Sequence, residues 1–168
     1  GRQLATILLE QPKDVLSGRL EELKAASEGE NTILQAAGFA GMIVSGEVEE
    51  AGRLAQKDDS SRLAWLSGVS LIPRGPLKDA LRGGVLRLMA GDQSTAVRTR
   101  AIQVIADINS NQANTFETLA DYVTDKQFRT AAVRSLLKIP EAARSSTVSA
   151  RLVGTLVEHA ESTPAEKR

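Results

Sequence analysis

Few side chains in this chain could support catalysis, and they lie far apart. The sequence has no cysteine and one histidine, His159, which stands beside Glu158 near the carboxyl end. A protein metal site needs several His, Cys, Asp or Glu ligands at defined spacing, and no such set accompanies His159. Gly83-Gly84 lacks the Lys-Ser/Thr ending of a phosphate-binding loop. The sequence therefore predicts no catalytic, cofactor or metal site.

Two arginines occupy unusual positions. Arg98 and Arg129 fall within the apolar arcs of two predicted amphipathic helices, and acids stand in the turns before them, at Asp92 and Asp125. A guanidinium in such an arc is partly desolvated and needs an acceptor. We predict a structural ladder of Asp92–Arg98 and Asp125–Arg129 pairs that orders these turns. The alternative is that both arginines bind phosphate or carboxylate on a partner.

Trp65 is the chain's one tryptophan, and Asp58 and Asp59 precede it in the sequence. In the overlay of the repeats Trp65 falls at the position of Arg98 and Arg129, where it would fill the space that an arginine leaves. No second aromatic follows at matching spacing, which favours this core position for Trp65 over stacking on a ligand. The 21 basic and 21 acidic residues balance, so no overall field attracts nucleic acid or an anionic membrane. We expect both acids to complement helix dipoles at the starts of helices.

The elements that would position these residues are all helical. Gly, Pro, Asp and Asn clusters interrupt the helical pattern at regular intervals. We read a first unpaired helix, four pairs of outer (A) and inner (B) helices, and a last unpaired helix. The predicted ranges are 3–10, 13–26, 31–44, 47–57, 60–72, 76–90, 94–108, 113–123, 126–139 and 145–160.

Two series of residues recur about every 32 positions, which is typical of an α-solenoid. The sequence therefore predicts an all-α superhelix of about four full two-helix repeats with a partial unit at each end. We expect one solenoid domain over 1–161, a disordered tail over 162–168, and a segment excised from something longer. The series are Ala37, Gly68, Ala101 and Ala132, and Leu23, Leu54, Leu86, Leu119 and Leu152.

The third and fourth pairs carry a family signature. Asp92 is followed by Val97-Arg98, and Asp125 by Phe128-Arg129. Because of these residues, the segment 30–140 resembles the HEAT family of helical repeats. This resemblance implies a right-handed superhelix used as an interaction scaffold. The segment also looks like the HEAT region of large multidomain bacterial proteins, where it joins a dehydrogenase region to a c-type cytochrome domain. That resemblance implies a spacer or docking arm.

Overlaying the B helices predicts which residues face solvent and a partner. In the early repeats these residues are apolar, which is unexpected on a free surface. The alternative is that the early repeats are rotated by a residue or two, which would bury them. The candidate partner-binding face is Phe39, Ile43, Leu66, Ser70, Gln103, Arg134 and Lys138.

Two functions follow as expectations. The first is a non-catalytic protein-interaction scaffold or spacer, with no cofactor, that binds a protein or neighbouring domains of its own parent chain. The second is a nucleic-acid-binding solenoid resembling the DNA alkylation-repair glycosylases, a resemblance carried only by Trp65 with Asp58 or Asp59. No apolar run reaches the roughly 20 residues of a membrane span, so we expect a soluble protein of the cytoplasm or periplasm. The uncapped end helices should dock against the parent chain or a second copy, the latter giving a homodimer, through Ala5, Leu9, Val148, Leu152 and Leu156.

Overall fold

A computed structural model describes the backbone of residues 2–162 and the side chains of residues 5–161. Over that range the chain is all-helical and has no strand. The tail predicted for 162–168 lies outside the described residues, except that the last helix extends to Ser162. The helices are α1 (Arg2–Leu9), α2 (Lys13–Ser17), α3 (Leu20–Glu28), α4 (Thr32–Ser45), α5 (Val48–Ala55), α6 (Asp59–Leu71), α7 (Pro76–Ala80), α8 (Arg82–Met89), α9 (Thr95–Ile105), α10 (Gln112–Asp121), α11 (Arg129–Leu136) and α12 (Ser146–Ser162), with a 3-10 turn at Glu141–Ala143.

Each predicted helix is found, but two outer helices are broken in the middle. The range 13–26 divides into α2 and α3 at Gly18-Arg19, and 76–90 divides into α7 and α8 at Leu81. The second break directs Leu81 into the core, where it is 3% exposed. The break therefore comes shortly before Gly83-Gly84, while Gly84 itself lies close to the Trp65 indole.

Helices pack within pairs and between successive pairs. The pairs are α3 with α4, α5 with α6, α8 with α9, and α10 with α11; the second members α4, α6, α9 and α11 also contact one another in that order. We call these four the B helices and their partners the A helices. A β-carbon on Gly38 would lie 2.6 Å from the Leu23 carbonyl oxygen, and one on Gly68 would lie 2.8 Å from that of Ala36. Glycine thus permits two of these close helix contacts.

Polar side chains join successive pairs at a separation that matches the sequence period. These hydrogen bonds link residues 30 to 33 positions apart. Examples are Arg100 to Ser70, Asn109 to Asp79, Arg82 to Asn114, Gln127 to Thr95, Tyr122 to Met89 and Arg151 to Asp121.

The first B helix is enclosed by its neighbours. Residues 35–43 of α4 are all buried, because α1, α2, α3, α5 and α6 pack around it. Its sequence is apolar on every face, which is typical of a buried helix. Phe39, Ile43 and Leu66 are at most 1% exposed, so the prediction that they lie on a binding face is wrong. Their burial agrees with the alternative given for the early repeats, in which these residues do not face solvent.

The end helices bury more than their sequences suggested. Ala5 is 2% exposed and Leu152 is 9% exposed, so neither belongs to an uncapped face, and α1 contacts α6 as well as α4. Leu156 of α12 is exposed as expected, together with Val153 and Val157. Among the described helices, none combines the length and the apolar character that a membrane crossing requires.

Candidate binding surface

A repeated side-chain contact opens each B helix. Within each helix pair, one polar residue near the start of the B helix donates to a carbonyl oxygen near the end of the preceding A helix. We call this set the carbonyl ladder. Its bonds run from Gln35 Nε2 to Gly29 at 2.6 Å, Arg62 Nη2 to Gln56 at 3.1 Å, Arg98 Nε to Met89 at 3.0 Å, and Arg129 Nε to Val123 at 2.8 Å.

The position of each ladder residue is set locally. Its backbone N–H bonds to the carbonyl four residues earlier, and the side chain of that earlier residue accepts a backbone N–H two or three residues further along. In α4, α6 and α9 this side chain is the N-cap and satisfies an amide that the helix start leaves without a partner. Asp125 accepts its bond in the turn before α11. The four pairings are Asn31 with Gln35, Asp58 with Arg62, Ser94 with Arg98, and Asp125 with Arg129.

The acids predicted to pair with the ladder arginines do not do so. Arg98 and Arg129 bond to backbone carbonyls, and within the described residues neither forms an ion pair with Asp92 or Asp125. The last carbonyls of a helix lack partners and carry the negative end of its dipole, so they attract a nearby guanidinium. Asp125 instead accepts the Gln127 amide. The arginines order the turns, as predicted, through different acceptors.

The ladder corrects the register of the second pair and reveals two residues that the sequence reasoning missed. Arg62, rather than Trp65, is the counterpart of Arg98, and Gln35 holds that position in the first pair. The sequence signal that could have identified both residues is a polar residue four positions after a Ser, Asp or Asn near a helix start. Trp65 is buried, as predicted.

The two acids before Trp65, Asp58 and Asp59, form a hydrogen bond and an ion pair at the start of α6. Asp58 accepts the Ser61 amide at 2.8 Å, and hydrogen bonds from Ser61 lower the pKa of its carboxyl. The pKa of Asp59 is also lowered, first by the Ser94 hydroxyl and then by Arg62, whose Nη1 lies 2.7 Å away. Both acids therefore stabilise a helix start in the charged form.

The later members of the predicted face are accessible. Arg134 and Lys138 are exposed, while Ser70 and Gln103 are half-buried. Lys138 Nζ lies 3.0 Å from Asp107 Oδ1 and 3.5 Å from the Gln103 carbonyl oxygen. These contacts connect the end of α11 to α9.

A groove lies where α1 meets the B helices, and it includes Ser70 of the predicted face. Its volume is about 630 Å³. Apolar side chains, four hydroxyl groups and one arginine line it, and Ile33 is 52% exposed at its wall. Arg100 Nη2 donates to Ser70 Oγ at 3.1 Å. The lining residues are Ala5, Thr6, Thr32, Ile33, Ala36, Ser67, Ser70, Leu71 and Arg100.

The zero net charge conceals an asymmetry between the two sets of helices. The B helices carry five arginines and the single carboxylate of Asp59, whereas carboxylates outnumber cations on the A helices. Three of these arginines belong to the carbonyl ladder. The B-helix arginines are Arg62, Arg98, Arg100, Arg129 and Arg134; the A-helix carboxylates are Glu21, Glu22, Glu28, Glu49, Glu50, Glu117 and Asp121.

A second cavity, which we call the outer cavity, lies between α5, α6 and α8 and has a volume of about 380 Å³. Trp65 forms part of its wall, and the Nε1 atom of that indole is buried without a hydrogen-bond partner. The lining residues are Gly52, Ala55, Gln56, Arg62, Trp65, Gly84, Arg87, Leu88 and Gln93. None of them lines the groove at the B helices.

Neither the geometry of potential metal ligands in the described residues nor comparison with known proteins points to a function. Within the part of the chain that the structure describes, no group of three or more His, Cys, Asp or Glu side chains could hold a metal ion. Comparison with protein-family models, curated proteins and solved structures finds no match. The groove at the B helices and the outer cavity are the candidate sites of this chain.

Proposed function

We propose that this chain is a non-catalytic protein-interaction module built as a HEAT-like, right-handed helical array. The contacts of α4, α6, α9 and α11 in sequential order support this arrangement, because in an α-solenoid each repeat contacts its neighbours along the array. The inter-pair hydrogen bonds at separations of 30 to 33 residues support it as well. In this proposal the B helices provide the binding side.

The groove at α1, α4, α6 and α9 is the observation that carries the proposal. An exposed Ile33 beside Leu71 offers apolar contact, while Ser67 and Thr32 offer hydroxyl groups to peptide N–H and carbonyl groups. Arg100 adds a cation. This mixture suits an extended protein segment with an apolar anchor and an acidic residue. The segment would come from a separate protein or from a neighbouring domain of a longer parent chain.

The same charges favour a protein partner over nucleic acid. A nucleic-acid complex depends on many lysines and arginines that reach phosphates. On the B helices, Arg62, Arg98 and Arg129 already donate to carbonyl oxygens, and Lys138 pairs with Asp107. The cations that remain are too few to follow a nucleic-acid backbone.

Capture from a lysate of the source cells, with and without nuclease, tests this function. We expect wild-type protein to retain specific proteins after nuclease treatment, and Ile33→Asp to lose them because it places a carboxylate in the groove wall. Val15→Asp is the matched control, since Val15 is 46% exposed on α2 and lies outside the groove. Circular dichroism verifies that both variants fold.

Three outcomes contradict parts of the proposal. Equal capture by wild type and Ile33→Asp removes the groove as the binding site. Loss of all captured material on nuclease treatment favours the nucleic-acid alternative. An empty wild-type capture contradicts a separate partner and supports a spacer that contacts its own parent chain.

A further inference from the structure

We propose that the outer cavity binds a carboxylate group carried on an apolar stem, as a site separate from the groove at the B helices. Three small residues, Gly52, Ala55 and Gly84, line the cavity together with the Trp65 indole. A β-carbon on Gly52 would meet no atom within 4 Å, so the space beside that helix is open. A volume of about 380 Å³ falls within the range of small-ligand sites.

One cation at this cavity has no counter-charge. Arg87 is exposed, and it forms no hydrogen bond or ion pair within the described residues. Arg62 is compensated, because its Nη1 lies 2.7 Å from Asp59 Oδ1 and its Nη2 donates to the Gln56 carbonyl. The cavity therefore has one uncompensated positive charge, which matches a monoanion better than a doubly charged phosphate.

The free guanidinium stands next to the apolar wall. The β-carbon position of Gly84 would lie 3.9 Å from Arg87 Nη2 and 3.0 Å from Trp65 Cη2, so both groups border the same space. A guanidinium binds a carboxylate through two parallel N–H···O bonds, and the indole supplies an apolar contact for the stem. The amides of Gln56 and Gln93 at the same cavity provide further polar contacts.

The chain's one tryptophan makes binding directly observable. We would titrate benzoate against the fluorescence of Trp65 and compare it with benzamide, which has the same shape without the charge. A saturable change with benzoate, at least about tenfold stronger in affinity than with benzamide, is expected from a charge-assisted bidentate contact. Calorimetric titration provides a second reading that does not depend on the indole.

A titration with peptides distinguishes the two sources of such a carboxylate, a small organic acid and an acidic side chain of a protein. An amidated peptide with one Glu beside a Leu is compared with its Gln counterpart. Tighter binding of benzoate than of the Glu peptide assigns the cavity to small organic acids. The reverse order assigns it to an acidic side chain of a protein. No saturable response to either probe overturns the proposal.

Two variant pairs test the assignment to these residues. Arg87→Gln should weaken benzoate binding about tenfold, while Arg74→Gln, which changes an exposed arginine outside the cavity, should not. Gly52→Leu should abolish binding by filling the cavity. Gly154→Leu is its control, since a β-carbon there also meets nothing within 4 Å. Unchanged affinity in Arg87→Gln, or equal loss in Gly52→Leu and Gly154→Leu, would contradict the site and leave the groove proposal untouched.

Discussion

The guanidinium carbon of Arg98 lies 4.3 Å from the centre of the Phe128 ring, across the boundary between two helix pairs. The carbonyl oxygen of Met89 accepts both Arg98 Nε at 3.0 Å and the Tyr122 hydroxyl at 2.9 Å. Tyr122 in turn meets Phe128 edge-on at 5.9 Å. One carbonyl, one guanidinium and two rings thus join the third pair to the fourth.

Arg98→Gln should lower the free energy of unfolding by about 1–3 kcal/mol, because it removes a hydrogen bond to Met89 and a cation–π contact with Phe128. Arg98→Lys should retain only part of this free energy, since an ammonium lacks the planar, forked donor geometry of a guanidinium. Arg134→Gln is the control, an exposed arginine on the next B helix; we expect a change within about 0.5 kcal/mol. Urea unfolding measures all three, and equal effects at both arginines would refute the cluster's role.

Ala101→Leu and Ala132→Leu should each destabilise the fold by about 1–3 kcal/mol through overpacking. Both alanines are fully buried where the B helices meet. Ala96→Leu, at an exposed position of α9, should leave the melting temperature nearly unchanged. Melting temperatures that do not distinguish Ala101→Leu from Ala96→Leu would show that the assumed contact is absent.

Gly38→Ala should destabilise the fold although alanine favours a helix by about 1 kcal/mol over glycine. A β-carbon on Gly38 would lie 2.6 Å from both the Leu23 carbonyl oxygen and the Ser27 nitrogen, so the backbones of α3 and α4 must separate. Gly154→Ala in α12 meets no atom within 4 Å and should stabilise. Thermal unfolding of the two variants should therefore shift in opposite directions; a shift in the same direction would contradict the close approach.

Asp58 should make stability depend on pH in the acid range. Its pKa is lowered in the folded protein from an ordinary value of about 3.8, so its contribution is present above that value and is lost as the pH falls through the folded pKa. Asp58→Asn keeps an N-cap but does not titrate. We expect the wild-type advantage over Asp58→Asn in urea unfolding to shrink below about pH 4. A difference independent of pH would contradict this role.

We predict self-association through α12, although of the end-helix residues named from the sequence only Leu156 belongs to its exposed stripe. Val153, Leu156 and Val157 form an exposed apolar stripe on this helix, and such stripes favour association. Sedimentation should show a concentration-dependent dimer that Val153→Lys with Val157→Lys abolishes. Val15→Lys, on α2, is the control and should not alter it. A wild-type monomer at every concentration would exclude the interface.

The sequence alone determined where the helices lie, because their ends depend on local chemistry. Gly46, for example, ends α4 in a left-handed conformation that glycine adopts without strain. A recurrence near 32 residues is also readable in the sequence, and some hydrogen bonds, such as Arg82 to Asn114, span a similar separation. The sequence likewise indicated that Arg98 and Arg129 needed acceptors, since a charged group on an apolar arc must be paired.

Tertiary structure alone decided which acceptors those arginines use and which faces are buried. Every residue carries a backbone carbonyl group, so no sequence pattern marks the carbonyls of Met89 and Val123 as acceptors. They can accept these bonds because they lie near the end of a packed helix, where a carbonyl has no partner within the helix. Phe39 and Leu66 are buried because α4 is enclosed and α1 reaches α6. A helix period specifies relative positions around one axis, whereas burial depends on distant segments that pack against it.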